Sequence, residues 1–370
     1  MIQKKCYLIS LILFIYVIIF VQTKPLKAQM YCQGDGCAAL PIDSNQMNNI
    51  FYALQTNYLN KVLEDMAIAN SYALVNTIPG GVVNLKEFTI GIGVSVAQTK
   101  LRKIDVFVPD YGTLEDMPSA GVALVPSLFI GTNLGYIFSN KPTLSKLPWY
   151  SLHRFDVYLS YLNSGVNNEQ FGTGKKNETW EVLSKSVGLE LRYHLAEGDK
   201  EISYLFGFSG VSLGIGYHSV NQNINYKQKD SKITLNASYN TDLTWKADNE
   251  INYENKMDVY LIDIRTGIQL LYFFRFSIGA GHSWLKGSSS LKLQRFGPVT
   301  VTSDYLTLLG YKAPDTYLGV LLQGSGSPPH RNITYLTAGL EINIPIFKIF
   351  IDVKGTKDIY TGSVGIRMSL

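Results

Sequence analysis

After its first 21 residues the chain has no long apolar run, so it cannot cross a bilayer as helices, each of which needs about 20 such residues. It is also poor in charge: Asp, Glu, Lys and Arg make up 17% of 370 residues, against roughly 25% in a soluble domain. The net charge of +4 and the lack of an Arg and Lys stripe exclude a nucleic-acid binder. Catalytic signatures are missing as well. The only approach to a nucleophile elbow is Gly324-Ser325-Gly326-Ser327-Pro328, read as a flexible loop with no apolar strand before it. His153, His194, His218, His282 and His330 form no short-spaced ligand pair. The expectation is therefore a protein that is not an enzyme and needs no cofactor or metal. Three Asn-x-Ser/Thr matches, at Asn177, Asn236 and Asn332, read as chance occurrences.

What is abundant has a different character. There are 24 Tyr, 17 Phe and 32 Gly, yet the mean hydropathy is only +0.05. Strands with one face in lipid and the other in water produce this combination. The last eleven residues show it plainly: Tyr360, Val364, Ile366, Met368 and Leu370 alternate with Thr361, Ser363, Gly365, Arg367 and Ser369. Period two is the signature of a strand between unlike media. The pattern recurs from about Lys86 onward, as in Phe88–Ala97, Leu128–Tyr136, Phe155–Tyr161, Val187–His194, Val211–His218, Ile262–Tyr272 and Leu336–Lys354. Aromatics such as Tyr136, Phe138, Tyr161, Tyr193, Tyr217 and Tyr272 stand near strand ends, where a membrane girdle belongs. A soluble β-sandwich could alternate similarly but would need neither the aromatic ends nor the terminal strand. The reading is an all-β transmembrane antiparallel barrel of about 12 strands, with 10 to 14 compatible. It is inserted in outer-membrane lipid by the barrel-assembly machinery.

The N-terminus divides in two. Lys4 and Lys5, the apolar run Cys6–Val21 and Leu26-Lys27-Ala28 have the order of a secretory signal, residues 1–28, cut between Ala28 and Gln29. An uncleaved anchor helix is the alternative. Residues 29–85 then hold a cysteine turn and one helix, and residues 86–370 the barrel. Cys32 and Cys37 flank Gln33-Gly34-Asp35-Gly36, which reads as a disulfide-closed turn in an oxidising compartment, with a metal site or a lipid-modified cysteine as alternatives. Ser44–Asn76 carries apolar residues at steps of three and four, from Phe51 and Leu54 to Met66 and Ala69, and Pro79-Gly80-Gly81 ends it. This amphipathic helix is expected in the lumen or at its mouth, as a plug or lid, unless it only packs on the rim.

Two sets of side chains are functional candidates. Arg154, Asp156, Glu190, Arg192, Asp263, Arg265, Glu341, Asp352, Lys354 and Arg367 fall on the inward faces. Their balanced signs suit pairing across the lumen slightly better than one-sign ion selection. The long polar stretches Asn163–Lys185, Val220–Met257 and Leu285–Arg331 read as external loops, and the weak alternation of Ile224, Tyr226, Ile233 and Leu235 lets strands extend above the membrane in Ile224–Trp245. Within them Lys175, Lys176, Lys227, Lys229 and Lys232 are either a solvated hairpin tip or a contact for acidic ligands such as sulfated glycans or matrix proteins.

The start Gln29-Met30-Tyr31-Cys32-Gln33-Gly34-Asp35-Gly36-Cys37-Ala38-Ala39-Leu40-Pro41, the helix and the glycine-rich strands after Gly91 resemble a family of leptospiral surface proteins. The likeness covers most of residues 29–370 and implies an outer-membrane adhesin that binds laminin and plasminogen. It transfers no binding residue by motif. Two features depart from convention: Leu370 stands where many barrels end in Phe, and some spirochaetal relatives are lipoproteins. The plan also resembles that of fatty-acid transporters, which are plugged barrels, although no Asn-Pro-Ala segment stands near the N-terminus. An adhesin ranks first for function, and a plugged porin or transporter for small or hydrophobic solutes second.

Overall fold

A computed structural model describes residues 29–39, 44–78, 81–83, 85, 88–138, 148–171, 177–198, 206–237, 241–271, 273–303, 315–344 and 346–369. The expected signal segment with Ala28, together with Lys175 and Lys176, lies outside the described residues.

In chain order the strands are β1 Gln29–Gln33, β2 Thr89–Thr99, β3 Arg102–Val108, β4 Gly112–Ser119, β5 Val122–Asn133, β6 Phe155–Asn167 and β7 Glu178–Glu197. They continue with β8 Phe206–Ala237, β9 Thr241–Leu270, β10 Phe274–Ser303, β11 Tyr317–Gly326, β12 Asn332–Asn343, β13 Phe347–Gly355 and β14 Ile359–Ser369. Helix α1 is Ser44–Leu54 and α2 is Asn60–Val75, joined without a break through a π-helical turn at Gln55–Leu59. Twelve strands form one antiparallel sheet, and β3 and β4 form a separate hairpin.

The sheet closes because β10 is long enough to have two neighbours on one side. Its first part, Phe274–Trp284, pairs with β12, while its whole length pairs with β9 on the other side. Ten strands thus complete the ring. The second part of β10, Ser289–Pro298, pairs instead with β11, and β11 pairs with β1. The terminal strand β14 pairs with β2 from Ile359–Thr99 to Ser369–Thr89 and seals the ring.

Aromatic rows mark the lipid boundaries. Phe206 and Phe274 both lie across from Leu270 near one edge. Tyr217, Tyr260 and Trp284 stand side by side on neighbouring strands at the other edge. Phe274 to Trp284 is eleven residues, within the length a tilted strand needs to cross a bilayer, about 9–11 residues. Between these rows the outward side chains Ile264, Ile268, Phe276 and Ile278 are exposed, as a lipid-facing band requires.

The polar stretches expected to be loops are mostly strand, and this corrects the sequence reading. Residues 220–237 and 241–257 extend β8 and β9, and 285–303 extends β10. Strands of 30 and 32 residues run about 100 Å along their length at 3.3 Å per residue, far more than the membrane needs. They form a raised sheet beyond the Tyr217–Trp284 row, completed by the upper part of β7, β11 and β1. Above the membrane the apolar residues are fewer, as at Ile224, Tyr226, Ile233 and Leu235, so the alternation there is weak and only Ile224–Trp245 hints at strand. Gly324–Gly326, read as a loop without a strand before it, ends β11. Leu134 and Tyr136, read as strand, lie in a short helix, Leu134–Phe138.

Candidate binding surface and filled lumen

The inward charges pair with one another. Arg192, with no exposure, sits 2.7 Å from Glu190 and 2.8 Å from Asp263 and donates to the Ser212 hydroxyl at 3.0 Å. Arg265 bonds the other Asp263 oxygen at 2.9 Å and reaches Asp352 on β13, also at 2.9 Å. Since β10 and β12 lie between β9 and β13, that contact crosses the interior. Asp156 takes bonds from the Asn133 amide and the Leu85 backbone N–H and lies 2.7 Å from His194. Glu341 pairs with both Arg275 and Arg367. Low dielectric makes an unpaired charge here costly, so opposite signs on neighbouring faces are what a filled lumen requires. Arg154 departs from the expected lumen set: it ends a 3-10 turn, Leu152–Arg154, at the short-turn rim and donates to the carbonyls of His194 and Leu195. Arg275 joins the network unforeseen, although the alternation Phe274-Arg275-Phe276 contained its signal.

Helix α2 fills the space on the long-strand side of these charges. It touches β2, β5, β8, β9, β10, β11 and β14, and every residue from Ala69 to Ile78 is buried. Ala67, Ala69, Ser71 and Ala73 keep it thin enough for the ring, and Tyr72 packs edge-on against Tyr335 at 6.1 Å. A Cβ on Gly121 would fall on the Asp65 carbonyl, and one on Gly326 on the Glu64 amide, so two bare positions admit the helix. The helix is tied by polar contacts as well. Asp65 pairs with Arg102 and accepts from the Ser119 hydroxyl, and Asn70 donates to the Tyr253 hydroxyl at 3.1 Å. At its C-terminus Lys354 donates to the Val75 carbonyl, where the helix dipole favours a cation, and Asn76 donates to the Asp352 carbonyl at 3.0 Å. The helix expected at or in the lumen is therefore in it. Above the ring, α1 is clasped between the raised sheet (Met30, Val299, Leu318) and the β3–β4 hairpin (Ile104, Val106, Val108).

The raised sheet carries the basic candidates, as strand residues and not as a loop. Lys227, Lys229 and Lys232 are exposed on β8. Lys227 is 3.1 Å from Glu250, and Lys246 across from Lys232 is 2.8 Å from Asp230, so acids on the same sheet offset much of the positive charge. The Lys227 hydrogen bond holds the Glu250 carboxyl below its ordinary range, against a weaker upward push from burial. At the far side of the same sheet three rings come together: Tyr31 lies 5.8 Å from Phe296 and Phe296 6.0 Å from Tyr317, each pair within 19° of parallel. The bond between Cys32 and Cys37 closes the turn beside Tyr31, and Gly34 makes that turn with φ +112°. Nothing in the alternation singled out this trio, because its residues lie far apart in sequence.

A family model described as Lsa36-like matches residues 25–370, and the chain belongs to that family. No curated protein matches it. Among solved structures, the CymD monoaromatic hydrocarbon channel is 10% identical over 84% of this chain and 97% of its own, with a TM-score of 0.22. A Pseudomonas aeruginosa FadL homologue is 9% identical over 84% and 98%, with a TM-score of 0.27. The transport unit of the Escherichia coli autotransporter AIDA-I is 8% identical over 84% and 99%, with a TM-score of 0.30. The protein is an outer-membrane β-barrel in contact with membrane lipid.

Proposed function

We propose that this Lsa36-like barrel is an adhesin, binding host extracellular-matrix or plasma proteins at the raised sheet. The observation that carries the reading is a division of labour along the barrel. The ring is filled by α2 and by paired charges, while β8, β9 and β10 run well beyond the upper aromatic row. Barrels of this kind keep short turns in the periplasm and extended segments outside. In this reading the end of the ring shared by Leu271, Asn343 and the end of β14 faces the periplasm, and the raised sheet opposite it faces the cell exterior. A simple diffusion pore does not require a sheet of this length, which offers a large contact area. Sulfated glycans meeting Lys227, Lys229 and Lys232 are the electrostatic version of the reading, weakened by the paired acids nearby.

The test compares cells carrying the protein with a strain lacking it for attachment to immobilised laminin, plasminogen and heparin. Attachment above the deletion strain supports the reading, and equal attachment to all three refutes it. The second reading, a plugged transporter for small or hydrophobic solutes, rests on a lumen occupied by one helix that also hydrogen-bonds the wall through Asn70, Ser71 and Asn76. Deleting residues 29–81 should then raise single-channel conductance in a planar bilayer. No conductance from either form would refute transport.

A further inference from the structure

We infer that Tyr31, Phe296 and Tyr317 form a platform on the raised sheet that takes the C–H face of a sugar ring from a neutral glycan. The inference rests on the adhesin reading for its biological setting and names the ligand class and its site.

The geometry starts at Gly319. It pairs with Tyr31 on one side and Phe296 on the other, and a Cβ there would fall on the Tyr31 ring. With no side chain at this position, the rings close over bare backbone and lie near-parallel instead of being held apart. Tyr317, two residues before Gly319 on the same strand, places its ring 6.0 Å from that of Phe296. Tyr31 is 37% exposed and Tyr317 42% exposed, which leaves apolar ring surface in contact with water across three strands. Lipid does not cover it, since Phe296 stands twelve residues beyond Trp284 in the upper girdle. The inner face of the same strands is already occupied by α1, through Met30, Val299 and Leu318.

The surroundings select the occupant. Adjacent rows of the same face carry Gln29 and Gln294 on one side of the rings and Gln33 on the other. Each amide offers two donors and one acceptor oxygen, which suits vicinal hydroxyls around an apolar C–H face. An aromatic ring adds a flat surface at low entropic cost, and the tyrosines add a polar tip. Charge of both signs lies nearby, with Asp248 across from Phe296, Lys292 four residues from it, and Lys227 and Lys246 paired with Glu250 and Asp230, so no single-sign patch calls for an ionic ligand. A neutral saccharide is the chemistry that uses flat rings and amides without asking for net charge.

The test uses the full-length protein refolded in detergent, with a panel of neutral galactose-, glucose-, mannose- and N-acetylglucosamine-containing oligosaccharides and with heparin, followed by tyrosine fluorescence and calorimetry. Binding of at least one neutral saccharide is expected, unchanged in about 1 M salt, where charges are screened within about 3 Å. Tyr31→Ala, Phe296→Ala and Tyr317→Ala should each weaken it about tenfold or more, while Tyr31→Phe keeps most of it. Heat-shifted migration in SDS gels confirms that each variant has folded. No neutral saccharide bound by the parent protein, or alanine variants that bind equally well, overturns the proposal, as does binding confined to heparin and lost in salt. The same variants on cells separate the two readings. If attachment to laminin or plasminogen persists in variants that have lost saccharide binding, the platform is not the adhesive site. If saccharide binding holds while cells attach no better than the deletion strain, the adhesin reading fails and the platform stands.

Discussion

Replacing Arg192 with Met tests whether the lumen is sealed or wet. Arg192 is fully buried, 2.7 Å from Glu190 and 2.8 Å from Asp263. If water reached these groups, the loss would be that of an exposed pair, about 0–1 kcal/mol. In a filled interior, removing one partner strands the other, at a cost of about 3–5 kcal/mol. Asp263 keeps Arg265 at 2.9 Å, so Glu190, with Arg192 on its carboxylate through both Nε and Nη2, carries most of the loss. That places the expectation near the low end, about 3 kcal/mol. The assay is reversible urea unfolding in detergent micelles, read by tryptophan fluorescence and by heat-shifted gel migration. Adding Glu190→Gln to Arg192→Met should restore about 1–2 kcal/mol, because the stranded carboxylate is gone. A single-variant loss below about 1 kcal/mol would show that solvent reaches the network, and the sealed-lumen argument for adhesion over transport would go with it.

Other outcomes follow from the same contacts. Gly121→Val should destabilise the fold by about 1–3 kcal/mol as an overpacked contact, since its Cβ meets the Asp65 carbonyl, and a neutral result in urea unfolding would place α2 elsewhere. Ile264→Arg, on the lipid face between the aromatic rows, should cost about 2–4 kcal/mol at the bilayer midplane. Leu183→Arg, six residues beyond Leu189 in the upper row, should change stability by no more than about 0.5 kcal/mol, and equal costs at the two sites would move the membrane boundary. Paired Cys32→Ser and Cys37→Ser changes should speed amide exchange in β1 while leaving β12–β14 unchanged, because the bond closes a five-residue separation at the sheet's edge.

The membrane part of the fold was legible because lipid enforces period two. Tyr360–Met368 and Ile262–Leu270 alternate well enough that strand and face could be read from side chains alone. Above the membrane the constraint relaxes. Around Asn221–Lys229 only Ile224 and Tyr226 interrupt a polar run, so the rhythm is weak, and the stretch read as a loop with strands extending into it. Partnering was harder still. Arg265 and Asp352 were placed on inward faces correctly, but their contact depends on ring closure. The Tyr31, Phe296 and Tyr317 platform depends on β11 lying between β1 and β10. Arg265 and Asp352 stand 87 residues apart, and Tyr31 lies on a strand far upstream of Phe296 and Tyr317, so these pairings leave no local trace.

The path of the N-terminal segment bears on which function the plug can serve. β1 pairs with β11 at the long-strand end, while the Leu85 N–H bonds Asp156 and β2 begins at Thr89 by the short-turn end. Residues between them thus run through the ring from one end to the other. A plug of this kind cannot leave by sliding out on either side, because both its ends are stitched into the barrel wall. Releasing it requires breaking the β1–β11 ladder as well as the Lys354, Asn76 and Asp65 contacts along α2. The same α1 that continues the plug forms the apolar backing of the raised sheet, through Met47 and Phe51. Opening the lumen would therefore dismantle the surface above it. A protein built so that its plug supports its outer sheet is better fitted to holding that sheet still for a ligand than to clearing its own passage for a solute.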